Sequence, residues 1–416
     1  MYELRGAIIS LRDVLVRQGR TDGRLLAEAV QLIKFLLMRG VQPVLVSNNG
    51  WVIGDERTPI QSYLSGRVGV DLPYFQRGLN GMPPKQSSRG MAHILEKFGW
   101  APENAIYIGS TDEDMQAARN GKLLFLNAQW HVTQSPYGFA FESPKDLARF
   151  VDCCCLGLGD WYWALEQGDL RVYSIAPLAE WSKRYPQARV YSSDAKQAVK
   201  FNRGNLLYWG RLMAARIYFS GLGAWANYVA PYPGHTTSSQ SMLLLNFLRI
   251  VAGSLNAQYL EDAVVRHTKA QKSQTLRQAG HAPDHQNQLG TIHLRRDPLR
   301  TGASARRYVN PPLRRNKNIL LVDDVCTQGF SLEAARAFVK STGAQATMVT
   351  WLKTPSNDYS AIRTLDPEIK NPYEPYIPSR VFSNYHSFSG NIRNDDAPNL
   401  IGDAFARYAN WEWPIT

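Results

Sequence analysis

The chain has few cysteines and no long apolar stretch. Only four of its 416 residues are cysteine, and three of these are consecutive, Cys153 to Cys155. Adjacent cysteines cannot easily bridge one another, so a disulfide scaffold is excluded and a reducing compartment is favoured. The longest apolar stretch, 241–253, is interrupted by Asn246 and Arg249 and is too short to span a membrane. Because the N-terminus also shows no secretory signal, we expect a cytoplasmic protein.

Glycine and proline are not enriched, with 31 and 23 residues. These numbers exclude a low-complexity chain. With 44% hydrophobic and 20% charged residues, the composition also excludes an intrinsically disordered protein. The length predicts two domains, or three, at roughly 100–200 residues each.

Positive charge is in excess, and it is unevenly distributed. The formal net charge is +12, from 47 Lys and Arg against 35 Asp and Glu. Residues 1–160 contribute +1, whereas segment 266–317 contributes +10. That segment shows little helical or strand periodicity, which predicts a long, partly mobile loop. A basic loop favours an anionic partner, which could be a polyphosphate, a nucleic acid or an acidic protein.

The N-terminal half alternates apolar runs with amphipathic segments. The apolar runs predict strands at 6–11, 41–46, 105–108 and 123–127. The amphipathic segments predict helices at 21–37, 87–98 and 112–120. Such alternation predicts an α/β fold with a parallel sheet covered on both faces. Ligands bind such sheets at the carboxyl ends of the strands.

Short polar motifs lie at three of these strand ends, and a lysine, Lys85, precedes a helix. Their key positions are Ser10, Arg12, Ser47, Lys85, Ser110 and Asp114. The order resembles that of the haloacid dehalogenase-like (HAD) hydrolases over about residues 6–130. The resemblance implies a HAD-like Rossmannoid domain over residues 1–150.

The same positions depart from HAD chemistry. That chemistry needs a carboxylate nucleophile, an acid/base two residues later and carboxylates that hold Mg²⁺. Here Ser10 stands at the nucleophile, Arg12 at the acid/base, and Ser110 replaces the first aspartate of the last motif. A one-residue shift would bring Asp13 nearer, but a lone carboxylate does not rebuild the site. We therefore expect a catalytically inactive scaffold or partner-binding domain, with phosphate binding through Ser47 and Lys85 left open.

The most specific pattern in the chain is Asn-Ile-Leu-Leu-Val-Asp-Asp-Val-Cys-Thr-Gln-Gly-Phe-Ser-Leu-Glu at 318–333. Its apolar residues predict a buried strand that ends in Asp323 and Asp324. A loop with hydroxyl residues and a glycine then leads into a helix over 332–340, and a second strand follows at 347–351. Free N–H groups and the helix dipole at such a point favour a phosphate. The paired carboxylates suit two vicinal sugar hydroxyls.

Residues 319–332 closely resemble the phosphoribosyl pyrophosphate (PRPP) motif of type I phosphoribosyltransferases. The resemblance implies that Asp323 and Asp324 hold the ribose hydroxyls. It also assigns the 5′-phosphate to six residues: Cys326, Thr327, Gln328, Gly329, Phe330 and Ser331. Two of these, Gln328 and Ser331, replace threonines of the family pattern.

Upstream residues resemble the ComF-like branch of that family over about 225–355. The resemblance places a pyrophosphate loop at Pro231 and Tyr232. It places the cations of a closing loop at Arg266, Lys269 and Lys272. Residues 160–416 are accordingly expected to form a type I phosphoribosyltransferase α/β fold, whose last stretch, from about residue 356, carries no recognisable motif.

The expected function is transfer of a phosphoribosyl group from PRPP to a nucleobase-like acceptor. The expected cofactor is Mg²⁺ bound with PRPP, and no metal site made of protein side chains is predicted. Two alternatives stay open. One is a PRPP or nucleotide sensor without turnover. The other is a regulatory or defence-complex component that binds nucleic acid, or another polyanion, through 266–317.

Overall fold

The computed structural model describes residues 1–16, 23–54, 56–131, 135–157, 159–235, 242–271, 284–300 and 305–414. Within these ranges the chain forms two six-stranded sheets and four two-stranded ribbons. One residue expected to bind pyrophosphate, Lys272, lies outside the described residues.

The first sheet belongs to the N-terminal half. Its strands and the ribbon strands beside it are β1 (Gly6–Ser10), β2 (Gln42–Ser47), β3 (Val52–Ile53), β4 (Thr58–Pro59), β5 (Tyr74–Gln76), β6 (Ala105–Gly109), β7 (Leu124–Ala128) and β8 (Phe139–Phe141). The helices are α1 (Gly23–Met38), α2 (Ile60–Val68), α3 (Gly90–Phe98), α4 (Asp112–Asn120) and α5 (Pro144–Phe150). The sheet order is β5-β2-β1-β6-β7-β8, with every pairing parallel. The chain order reverses between β1 and β6, so their carboxyl ends flank the crevice in which such sheets bind ligands.

The second sheet belongs to the C-terminal half. The strands there are β9 (Trp163–Gln167), β10 (Leu170–Pro177), β11 (Tyr228–Pro231), β12 (Gln258–Tyr259), β13 (Val264–Arg266), β14 (Ile292–Leu294), β15 (Leu299–Arg300), β16 (Arg306–Arg307), β17 (Asn318–Cys326), β18 (Gln345–Lys353), β19 (Tyr359–Asp366) and β20 (Arg380–His386). The helices are α6 (Ala188–Phe201), α7 (Leu206–Phe219), α8 (Leu222–Trp225), α9 (Met242–Ser254), α10 (Gln286–Leu289), α11 (Phe330–Ser341) and α12 (Ala397–Ala409).

The order of this sheet is β12-β11-β17-β18-β10-β9. All of its strands run parallel except β9 at one edge, which is antiparallel to β10. The apolar run at the start of β17, Ile319 to Val322, is fully buried. A continuous apolar strand is what a parallel sheet covered on both faces requires. The carboxyl end of β11 lies beside this run, with Pro231 opposite Val322.

Helix α7 of the C-terminal half also packs against the N-terminal half. Every residue from Tyr208 to Phe219 is buried, as expected for a helix surrounded by protein. At its centre Arg211 pairs with Asp146 of α5 at 2.9 Å. Near its end the Tyr218 hydroxyl donates to the carbonyl oxygen of Ala105 at 2.8 Å. One hydrophobic core therefore extends through both halves.

The last stretch of the chain also packs on the N-terminal half. The Trp411 indole N–H donates to Asp152 at 3.0 Å, and its ring meets Phe35 edge-on with centroids 5.8 Å apart. The aromatic stretch around residues 161–209 is mostly core as well, although Trp181 is 88% exposed. No described helix is long and apolar enough to cross a bilayer.

The helix expected at about 87–98 is present and begins at Gly90, after turns in which the Ser87 N–H donates to Pro84 and the Gly90 N–H donates to Ser87. One expectation about local structure was wrong. The basic segment 266–317, expected to be a long loop, contains α10 and several two- or three-residue strands in its described part. Strands that short leave no periodic signal in a sequence.

Candidate functional site

The crevice of the first sheet is filled by its own side chains. The Lys85 ammonium lies 2.5 Å from Oδ1 of Asp114 and 3.0 Å from the Ser10 hydroxyl. All three residues are buried. The carboxyl ends of β1 and β6 position Ser10 and Ser110, and the first turn of α4 positions Asp114.

Asp114 is saturated with hydrogen bonds. Its Oδ2 accepts from the backbone N–H groups of Ser110 and Thr111, both at 3.1 Å, and from the Thr111 hydroxyl at 2.9 Å. The Tyr107 hydroxyl donates to Oδ1 at 2.8 Å. Burial by itself would raise the pKa of Asp114, but the charge and hydrogen bond of Lys85 hold that pKa below its usual value. The aspartate is therefore an ionised, fully bonded structural group.

The remaining HAD-like positions form no catalytic set. The Ser47 hydroxyl accepts from the Trp51 indole at 2.9 Å. Arg12 is half-exposed and its Nε lies 3.5 Å from Asp13. The two residues through which phosphate binding was left open therefore have partners in the protein. The Ser47 hydroxyl accepts a hydrogen bond, and the Lys85 ammonium is paired with Asp114.

The second candidate site lies at the carboxyl end of β17. Asp323 and Asp324 are half-buried beside one another. Burial raises the pKa of both carboxyls, and repulsion from Asp324 raises that of Asp323 further, well above its ordinary value. The charge of Lys200, at the end of α6, opposes both shifts. Two adjacent carboxyls with raised pKa values hold a proton more strongly than usual. A bound cation, or hydroxyl groups that donate hydrogen bonds to them, would favour loss of that proton.

The loop after these carboxyls turns its carbonyl groups into the protein. The carbonyl of Cys326 accepts from the N–H of Thr354 at 3.0 Å, and that of Gln328 accepts from Ser360 at 2.9 Å. The carbonyl of Thr327 accepts from the ammonium of Lys353 at 2.6 Å. Among the described residues, no group accepts from the N–H groups of 327–331. N–H groups without an acceptor at the start of a helix, as here at α11, favour a nearby anion.

Lys353 stabilises the loop by hydrogen bonds to backbone carbonyl groups. Besides Thr327, its ammonium donates to the carbonyl oxygens of Asn357 at 2.7 Å and Thr354 at 3.2 Å. It also lies 5.3 Å from the centroid of the Trp163 ring. Burial lowers the pKa of Lys353. With three carbonyl acceptors and an aromatic face, this lysine is a positioning group rather than a ligand-binding one.

Gly329 is required by the geometry of the loop. Its φ of +84° lies in the left-handed region, which favours glycine. A Cβ at this position would also collide with the ring of Tyr359. That ring is fixed because the Tyr359 hydroxyl donates to buried Glu333 at 2.9 Å. Cys326, the last residue of β17, is buried just before the loop, and burial raises the pKa of its thiol to about 11, so it is no thiolate nucleophile.

The pyrophosphate residues expected upstream lie close by, but in another arrangement. Tyr232 follows β11, and its hydroxyl donates to Gln288 at 2.8 Å. Arg266 was expected in a closing loop, yet it is buried on β13, where its guanidinium donates to the hydroxyls of Tyr232 at 3.0 Å and Thr291 at 2.6 Å. Its neighbour Lys269 is exposed. Arg266 is therefore fixed by the protein and cannot close over a ligand.

Sequence reasoning missed Lys200, Lys353 and Tyr359. Only Lys353 had a signal in the sequence. It ends the apolar strand β18, and a buried cation at such a position needs a hydrogen-bonding partner nearby. No pattern links Lys200 to Asp323 across more than a hundred residues.

The residues present fit a magnesium ion that is shared with a ligand. No group of three or more His, Cys, Asp or Glu side chains with metal-site geometry occurs in the described ranges. Mg²⁺ is commonly held by one or two carboxylates together with substrate phosphates. Asp323 and Asp324 supply such carboxylates, and the loop would supply the place for the phosphate.

The solved structures described below match the N-terminal part of the chain. No protein-family model and no curated protein matches the chain. Solved structures of HAD hydrolases do match about a third of it. One is a candidate phosphoglycolate phosphatase from Lactobacillus delbrueckii, with 19% identity, 29% of this chain and 51% of that chain covered, and a TM-score of 0.24. This chain thus spans about half the length of that protein.

Two further structures match the same part of the chain. The cobalt-bound deoxy-D-mannose-octulosonate 8-phosphate phosphatase of Haemophilus influenzae has 18% identity, with 31% and 71% of the two chains covered and a TM-score of 0.23. A HAD-superfamily hydrolase of Ehrlichia chaffeensis has 14% identity, with 36% and 98% covered and a TM-score of 0.27. No functional conclusion follows from likenesses this distant.

Proposed function

We propose that the C-terminal half binds PRPP together with Mg²⁺ and transfers the phosphoribosyl group to a nucleobase-like acceptor. The loop at 326–331 carries this proposal, because its carbonyls point inward while its N–H groups are available to an anion. We propose that the N-terminal half is a HAD-like domain without hydrolase activity, whose former catalytic crevice is closed by Lys85 and Asp114.

In the proposed reaction the loop N–H groups hold the 5′-phosphate, and Asp323 and Asp324 accept hydrogen bonds from the ribose hydroxyls. When bound, Mg²⁺ would neutralise the leaving pyrophosphate. The bond from the anomeric carbon to pyrophosphate breaks, and a bond to the acceptor nitrogen forms. Such a transfer depends on positioning and charge stabilisation rather than on a protein nucleophile. That requirement agrees with a buried, protonated Cys326.

The test is calorimetric titration of the whole protein with PRPP and Mg²⁺, followed by pyrophosphate release with a panel of nucleobases. Asp323→Asn and Asp324→Asn should each weaken binding, while Glu166→Gln, at the exposed end of β9, should not. Absence of PRPP binding by the wild-type protein would refute the proposal. Hydrolysis of phosphomonoesters that is unaffected by Asp323→Asn would refute the assignment of the N-terminal half.

PRPP sensing without transfer is the second candidate. It is favoured by Arg266, which is held by protein hydroxyls and cannot follow a leaving pyrophosphate. Binding of PRPP without pyrophosphate release across the panel would support sensing over transfer.

A further inference from the structure

The excess charge of the C-terminal half is concentrated on a surface away from the candidate PRPP loop. We propose that this surface binds the phosphate backbone of a nucleic acid. We call it the basic face and define it as Arg300, Arg306, Arg314, Arg315 and Lys317. The four arginines are exposed, and Lys317 is half-buried.

Several basic residues of segment 266–317 are already neutralised and do not belong to the basic face. Arg295 lies 2.9 Å from Asp262, and Arg307 lies 3.1 Å from the same carboxylate. Arg266 is buried among hydroxyls. By contrast, no carboxylate in the described part of the chain lies within 4 Å of a cationic nitrogen of the basic face.

Two members of the basic face repel one another. Arg300 of β15 is directly opposite Arg306 of β16 in an antiparallel pair. Like charges at opposed positions destabilise such a pair. The ribbon strands are only two residues each, so their own hydrogen bonds offset little of that repulsion. A polyanion that lies across both guanidinium groups would remove the repulsion.

A chain of packed residues joins the ribbon to the other three members. The ring of Tyr308, just after β16, meets the ring of Tyr228 edge-on, with centroids 6.5 Å apart. Lys317 then donates its N–H to the carbonyl of Arg314 at 3.1 Å. Tyr228 is paired with Ile319, two residues after Lys317, so the ribbon lies beside the stretch that carries the other three members, and the neighbouring Val309 is 94% exposed.

This surface cannot serve the PRPP loop. Arg314, Arg315 and Lys317 precede the amino end of β17, whereas the loop follows its carboxyl end. The nine residues of β17 separate the two ends by about 26 Å at about 3.3 Å per residue. A pyrophosphate-closing role is therefore excluded for these cations by distance.

The composition of the basic face favours phosphodiesters among polyanions. Four of its five members are arginine, whose planar guanidinium binds phosphate oxygens in a bidentate manner. A row of such groups on an extended surface is typical of binding to a nucleic-acid backbone without sequence readout.

The experiment measures binding of fluorescent DNA and RNA oligonucleotides, single- and double-stranded, by the whole protein over a range of salt concentrations. With duplex DNA, each phosphate contact contributes about −0.9 to the slope of log K against log salt. The triple variant R300Q/R306Q/R314Q should therefore make the slope shallower by about 2.7. The matched control K34Q/R89Q/K97Q removes the same charge from exposed positions of the N-terminal half and should leave the slope unchanged.

Thermal unfolding and PRPP titration check that both triple variants are folded. A slope that falls only in the basic-face variant supports the proposal. The proposal is overturned if wild-type protein binds no oligonucleotide at low salt, or if both variants change the slope equally. It is also overturned if polyglutamate or anionic vesicles displace the oligonucleotide at the same charge concentration, because the surface would then not prefer phosphodiesters.

Discussion

Lys85 and Asp114 form an ion pair with 2% and 0% side-chain exposure, and their charged atoms lie 2.5 Å apart. The pair lies in the crevice between the carboxyl ends of β1 and β6, beside Ser10. The stability of the folded protein depends on both partners, because either charge left alone would be buried without compensation.

We expect Lys85→Met to lower the free energy of unfolding by about 3–5 kcal/mol, the usual cost of breaking a buried pair. Urea denaturation at neutral pH measures this free energy of unfolding. Lys145→Met is the matched control, because Lys145 pairs with Glu412 on the surface at 2.6 Å, and we expect less than about 1 kcal/mol there. Adding Asp114→Asn to Lys85→Met should restore part of the loss. Equal effects of the two lysine substitutions would contradict a structural role for the buried pair.

Gly329→Ala tests the geometry of the loop. The substitution meets both the left-handed backbone and the Tyr359 ring, so it should displace the loop N–H groups and weaken PRPP binding about tenfold or more. Gly69→Ala shares the positive φ, at +86°, but its Cβ would have nothing within 4 Å. That control should lower stability slightly and leave PRPP affinity intact. Unchanged affinity in Gly329→Ala would show that the loop does not hold the ligand.

The raised pKa values of Asp323 and Asp324 predict proton release on ligand binding. Carboxyls with raised pKa values keep a proton to higher pH, whereas binding of Mg²⁺ requires the ionised form. Affinity for PRPP with Mg²⁺ should therefore rise as the pH rises towards neutrality. Titration calorimetry in buffers of different ionisation enthalpy counts the protons released. Asp323→Asn should abolish most of that release, and a release unaltered in this variant would assign the proton to another group.

Acid destabilisation should arise in part at His285. Its Nε2 lies 3.1 Å from the Ser360 hydroxyl and its ring meets Phe330 with centroids 4.7 Å apart. Burial lowers the pKa of His285, against the opposing charge of Glu333. Below the ordinary histidine pKa of about 6.5, His285 binds a proton in the unfolded chain but stays neutral to lower pH in the folded chain. Stability is therefore retained above that pH and is lost as the pH falls from it.

His285→Gln should flatten the decline of stability between pH 6.5 and pH 5, measured by thermal unfolding, since no proton is then taken up at this position. His93→Gln, at a half-exposed position of α3, is the matched control. A decline that is identical in wild type and His285→Gln would locate the acid-sensitive group elsewhere.

Sequence patterns predicted the regular elements better than the contacts among them. Apolar runs such as Ile319 to Val322 identified buried strands, because a parallel sheet leaves no exposed face for polar residues. The Asp-Asp pair and the glycine of the loop also occupied the predicted strand end and helix start. The burial of Arg266 was unpredictable, since its partners Tyr232 and Thr291 are brought to it by tertiary packing.

Helix α7 has a consequence for modular exchange. Its twelve residues from Tyr208 to Phe219 are covered by elements of both halves, and Arg211 reaches across to Asp146. If the chain were cut between α5 and β9, the C-terminal fragment would carry an uncovered apolar helix and the N-terminal fragment an aspartate without its arginine. We therefore expect that neither half folds without the other, and that exchanging one half for a different domain would require redesign of the α7 surface as well.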